Sequence, residues 1–132
     1  MPMQVELVSP ERILLSVEAI MVRARTLSGG DIAFLTGHAA FIGALATWRV
    51  DITPVDGAPL LAAVHGGFIS INHDHVKILS DLAELADQVD VARAQAAADR
   101  AEAELGADAE DVAAGAALAR AHARLRTAGV LV

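Results

Sequence analysis

The sequence predicts an all-β sandwich or barrel over residues 1–83, followed by an α-helical antiparallel hairpin. Three observations carry this. Turn signals recur every eight to twelve residues through the first part, the spacing of short strands. From Asp90 to Leu105 neither Gly nor Pro interrupts a run rich in Ala, Arg, Gln and Asp. Between the two lies Val64–Ala98, VHGGFISINHDHVKILSDLAELADQVDVARAQAAA, which begins with strand residues and ends with helical ones.

Taken in order, Val5 and Leu7 alternate with Gln4 and Glu6, which predicts a half-buried strand. Ser9-Pro10-Glu11 is a turn. Ile13, Leu15 and Val17 then alternate with Leu14 and Ser16, and the next stretch places Arg23 and Arg25 on the solvent face with Ile20 and Val22 inward. Ser28-Gly29-Gly30-Asp31 reads as a turn with two residues that tolerate positive φ. The segment DIAFLTGHAAFIGALATWRVDI reads as a pair of apolar strands hinged at Thr36-Gly37-His38. Asp56-Gly57 is a hairpin turn signal, with Pro59–Val64 returning as a strand. Phe68, Ile69 and Ile71, then Val76, Ile78 and Leu79, flank the turn Asn72-His73-Asp74 and form a further hairpin.

In the second part Gly106 is placed as the stop of the first helix, and Asp108 as the cap of the second. Glu110 and Asp111 would sit in that helix's first turn and Arg120, Arg124 and Arg126 in its last, an order that suits the helix dipole. The short connection predicts an antiparallel hairpin. Its seam should be mostly alanine, with Val91, Leu105, Val112, Leu118 and Leu125 as the larger apolar groups. A buried methyl contributes roughly 0.8 kcal/mol, against about 1.5–3 for a leucine side chain. Such a hairpin can open without either helix unfolding.

Composition narrows the function. The chain has 132 residues, a net charge of -7 and no cysteine. The charge argues against nucleic acid, whose phosphates need a basic face. Without cysteine there are no disulfides, thiolate nucleophiles or cysteine-ligated zinc. No run of eighteen apolar residues exists, and MPMQVELVSPE has no basic region followed by an apolar stretch, so neither a membrane span nor a secretory signal is expected. A soluble, cytosolic chain is the expectation.

Two constellations can carry chemistry. His73 and His75 form an H-x-H, with His65 placed near it across the hairpin; a cupin-like metal site would also need a glutamate four or five positions further on, where Leu79 and Ser80 stand. A small cupin-like, metal-dependent or sugar-binding barrel with a helical tail is the alternative this motif raises. His38 reads as a loop residue, because no carboxylate with Ser or Cys can be named beside it. The Gly pairs 29–30 and 66–67 lie at strand ends, which disfavours a phosphate loop. The arginines form the stronger set. Asp90, Arg93 and Arg100 share nearly one face of the first helix, and Arg120 and Arg124 are i, i+4 on the second. An antiparallel hairpin would bring them together as an anion site with fork geometry suited to phosphate, or leave them as a solvated basic surface.

GDIAFLTGHAAFIGAL, GGFISINHDHVKILSDLAEL and VDVARAQAAADRAEAEL, in this order, resemble three regions of the epsilon subunits of bacterial F-type ATP synthases. Thr36 and Ala40 depart from that family, which commonly has prolines around this turn. The resemblance implies a sandwich of about ten strands as an N-terminal domain, 1–85, and a two-helix regulatory domain, 88–132. It implies a non-catalytic rotor part of the central stalk, bound to the gamma subunit and the c-ring. That places it peripherally at the cytoplasmic face of the cell membrane, with no required cofactor. The helices would reach the catalytic alpha and beta subunits and hinder ATP hydrolysis. It further implies ATP as a regulatory ligand through an [IL]-D-x-x-R-A motif, here Val89, Asp90, Arg93 and Ala94, with Val for the usual Ile or Leu. Glu84, Arg100, Arg120 and Arg124 match other positions of that site.

Overall fold

A computed structural model describes residues 2–28 and 30–131. Nine strands precede two helices among them: β1 Met3–Val8, β2 Ile13–Thr26, β3 Gly30–Leu35, β4 Phe41–Ala44, β5 Thr47–Pro54, β6 Leu60–His65, β7 Phe68–Asn72, β8 His75–Leu79 and β9 Ala83–Leu85, then α1 Val91–Ala107 and α2 Val112–Thr127. The strands hydrogen-bond in the order β4-β7-β8-β1-β2-β5-β6-β9, with β3 also paired to β2. β2 is the hinge of the sandwich. Its first half pairs with β1, and its second half pairs with both β3 and β5. One core fills the space between the layers, built on Met3, Val5, Leu7, Val22, Phe34, Ile52, Ile69, Ile71, Val76 and Ile78.

The alternation in β1 holds, with Met3, Val5 and Leu7 buried and their neighbours half-buried. In β2 it holds only in pieces. Ala19 and Val22, three residues apart, are both fully buried, while Ile20, expected inward, is 51% exposed. The pairing of β2 with β5 shifts register between Ala19 and Met21, and this bulge changes which face each side chain takes. A second irregularity, between Leu7 and Val8, turns Ile13 outward.

The segment expected as two strands holds three. β4 does not fold back on β3; it pairs with β7, and Leu45 beyond it bridges to Thr26. The β7–β8 hairpin is as expected, with Asn72 opposite His75 and His73 and Asp74 both at positive φ, the two-residue turn that matches strand twist. Asp74 anchors it by accepting the Gly37 N–H at 2.7 Å. Of the predicted Gly29-Gly30 turn, Gly29 lies outside the described residues and Gly30 has φ +71. Gly67 is irreplaceable: it has φ +110, and a Cβ there would lie 2.0 Å from the Leu79 carbonyl oxygen.

α1 starts at Asp90, whose side chain accepts the Arg93 backbone N–H. It runs through Gly106 and ends at Asp108, so Gly106 is no stop. The cap of α2 is Asp111, accepting from Ala114; Asp108 closes the turn between the helices by accepting from Glu110. The helices are antiparallel, since Ala94 and Ala98 near the start of α1 pack on Ala121 and Leu125 near the end of α2. Leu118 packs beside this seam, but Val91 is exposed and Val112 is 84% exposed, so neither of the expected valines contributes.

Candidate functional site

β6 explains where the hairpin sits. Ala62 and Val64 point into the sandwich core, while Ala63, between them, faces the other way and is still 0% exposed. It is covered by α2, which packs on the outer face of β5 and β6. Cross-strand register places Arg49, Ala63 and Glu84 in one row on that face, and Thr47 and His65 in the next. Buried Ala123 and Thr127 supply the small groups on the α2 side. A cavity of about 270 Å³ remains in this contact, lined by Trp48, Gly115, Leu118, His122 and Arg126 among others.

Charged groups do the joining. Arg124 donates from Nε to Glu84 Oε1 at 2.5 Å, linking α2 to β9. Arg49 is held by Asp51 through two hydrogen bonds and also donates to the Arg126 carbonyl at 3.4 Å. Arg126 lies over one side of the Trp48 ring at 3.9 Å, and Arg25 stacks on the same ring at 3.4 Å. Asp31 neutralises Arg25 through two hydrogen bonds, and this contact holds the Asp31 carboxyl below its usual range. Arg126 has no such carboxylate among the described residues, and its Nε is buried without a partner there. Desolvation, then Arg25 and Arg49, push its pKa down.

Of the residues singled out in the sequence, the structure brings Glu84 and Arg124 together. Asp90 meets Arg93 through the backbone only. Ala94 is buried in the helix seam and Val89 is half-buried where a 3-10 turn, Ala86–Gln88, leads into α1. Arg93 and Arg100 are exposed on α1 and Arg120 is half-buried on α2; none of the three makes an ion pair among the described residues. The histidines His65, His73 and His75 do not gather into a cupin-like metal site among the described residues. His75 pairs with Glu6 at 2.6 Å, His65 faces Glu84, and no three His, Asp or Glu side chains converge among the described residues. His38 packs in its loop against Phe34 and Phe41.

Sequence reasoning missed the Arg25–Trp48–Arg126 stack and the place of His65 in the contact. One signal was available. Ala62-Ala63-Val64, three consecutive small apolar residues in a strand, is the pattern of a strand covered on both faces.

Residues 2–86 match the family model described as ATP synthase, Delta/Epsilon chain, beta-sandwich domain. The ATP synthase epsilon chain of Streptomyces griseus is 44% identical over 128 residues, 97% of this chain and 96% of that one. The epsilon chain of Thermobifida fusca is likewise 44% identical, over 94% of this chain and 90% of that one. Among solved structures, a chain of the Euglena gracilis mitochondrial ATP synthase superposes with a TM-score of 0.73 at 19% identity, covering 98% of this chain and 78% of that one, which establishes the shared fold. A chain from the central stalk and c-ring of the Tetrahymena thermophila enzyme does so at a TM-score of 0.56 and 15% identity, over 68% of this chain. With a matched sandwich and relatives alike over nearly their whole length, this chain belongs to the ATP synthase epsilon chain family and is a non-catalytic subunit.

Proposed function

We propose that the chain works in the central stalk, with the sandwich as the assembly part and the hairpin as the regulator. The observation that carries this is the contrast between a continuous apolar core and a helix pair docked through a handful of polar contacts. In this reading the sandwich binds the gamma subunit and sits against the c-ring. Support comes from an apolar row across the outer face of four strands, where exposed Phe68, Leu79 and Ile13 and half-buried Val8 are cross-strand neighbours. Large apolar groups aligned in this way suit a protein partner. The complex would then hold the chain peripherally at the cytoplasmic face of the membrane; no described helix is long and apolar enough to cross one. Released from the sandwich, the hairpin would extend toward the catalytic alpha and beta subunits and hinder ATP hydrolysis.

ATP is the proposed ligand of the docked hairpin. Arg100, Arg120 and Arg124 would meet the phosphates, and Asp90, Arg93, Ala94 and the Val89 backbone the adenosine, with Glu84 holding Arg124 in place. Bound phosphate would relieve repulsion among guanidiniums, so binding and docking would be coupled: a ligand at a hundredfold excess over Kd shifts the equilibrium by about 2.7 kcal/mol. Titration calorimetry of the full chain with ATP tests this. Heat that is lost in Arg93→Ala and Arg124→Ala is expected; no heat and no thermal shift at millimolar ATP removes the nucleotide site. Gamma binding is tested separately by co-purification, which Phe68→Glu with Leu79→Glu should abolish.

A further inference from the structure

Two histidines lie at the α2 contact: His122 of α2, half-buried and 3.8 Å from Glu102, and His65 of β6, which takes no part in the reading above. The His65 ring is 4% exposed, and among the described residues neither of its nitrogens has a hydrogen-bond partner. Glu84 of β9 stands 3.5 Å from it, at ion-pair distance, but the same carboxylate oxygen already accepts from Arg124. Arg124 and Arg120 of α2 face the ring with like charge for any proton it takes up. Its cross-strand neighbour on β5 is Thr47, which carries no charge. Beside it opens a cavity of about 210 Å³, lined also by Val8, Phe68, Leu79, Ser80 and Asp81. Burial and the two guanidiniums work against a charge on His65, and Glu84, shared with Arg124, only partly offsets them.

We infer that His65 is a proton-operated release for the hairpin: the docked form keeps the imidazole neutral, and its protonation drives α2 off the face of β5 and β6. The direction follows from the surroundings. Burial, then Arg124, push the docked His65 pKa below its ordinary value, Arg120 adds to this, and Glu84 opposes it. Once α2 leaves, both guanidiniums leave with it, water reaches the ring, and Glu84 is freed from Arg124. The released form therefore binds the proton more readily. Docking from this source is complete above the ordinary imidazole value, about 6.5, and is lost as pH falls below it, by up to about tenfold in the docked-to-released ratio per pH unit.

The inference stands apart from ATP and is tested on the nucleotide-free full chain. Trp48 is the sole tryptophan, and Arg126 of α2 lies on its ring, so its emission reports docking. Lowering the pH from 8 to 5.5 should shift that emission to the red reversibly while far-ultraviolet circular dichroism stays constant. In His65→Gln the shift should vanish over this range. An unchanged midpoint in His65→Gln, or no shift in the parent chain, overturns the inference. A readout without substitution is NMR of the parent chain: α2 amide resonances should move with the His65 ring titration. If the ring titrates and those amides stay still, His65 is a buried histidine and nothing more.

Discussion

The sandwich and the hairpin are both fully formed, yet they are held by different kinds of contact. The sandwich buries Phe34, Met3, Leu7 and a set of Ile and Val side chains in one core. The hairpin buries Ala94, Ala98 and Ala121 with one large group, Leu125, and rests on the sandwich through Arg124, Arg126 and Arg49. Burial of a large side chain outweighs that of a methyl two- to fourfold, while polar contacts exchange readily for water. The difference is what the proposed division of labour needs: a scaffold held by large apolar groups, and an appendage whose docked position rests on few of them. An alanine seam is suited to this, because each helix keeps its high intrinsic propensity when its partner departs.

The comparison breaks most sharply at the core. Phe34→Ala should cost about 3–5 kcal/mol in global unfolding and lower the main thermal transition. Leu125→Ala, also a truncation of a fully buried residue, should leave that transition nearly in place and instead speed amide exchange in α1 and α2. Equal effects on the main transition would mean that the two parts unfold as one.

Next in size is overpacking of the seam. Ala121 is fully buried against α1, and Ala121→Leu should cost about 1–3 kcal/mol, felt as hairpin opening. Trp48 emission should move to the red and the sandwich should still melt at its own temperature. Removal of the α2 cap is milder: Asp111→Ala loses the acceptor for the Ala114 N–H, and about 1 kcal/mol of helix stability goes with it. Circular dichroism should show fraying of α2, with β1 to β9 unaffected.

These expectations depend on contacts of unequal legibility. Strand phase was readable wherever alternation ran unbroken, as at Met3, Val5 and Leu7. It failed at Ile20, because a bulge is a property of the pairing of β2 with β5 and leaves no trace in β2 alone. β4 was misread because its partner β7 lies on the far side of two other strands in sequence. β9, three residues long, is too short to show a period. Gly106 looked like a stop, but a glycine ends a helix only when positive φ is needed, and here it is not. At the site, Asp90 was legible from its spacing to Arg93, and Glu84 was reached through family likeness. The Arg49–Arg126 contact joins residues 77 apart, and no local pattern encodes such a pairing.

The smallest expected effect concerns Arg25, the arginine of the Trp48 stack that belongs to the sandwich. Its partner Asp31 is about half exposed, so solvent screens the pair and its net contribution to stability is below about 1 kcal/mol. Because the Asp31 pKa is lowered, that contribution is present above the ordinary aspartate value, about 3.9, and fades as pH falls through the lowered one. Asp31→Asn should therefore leave the melting temperature nearly unchanged at pH 7. It should still be visible elsewhere. Without Asp31 the Arg25 charge is no longer offset, and it repels Arg126 across the shared ring, so the docked hairpin weakens while the scaffold does not. A red shift of Trp48 emission at constant melting temperature is the expected result. A parallel loss of both would show that the stack braces the sandwich itself, and the boundary between scaffold and appendage would have to move to include Arg126.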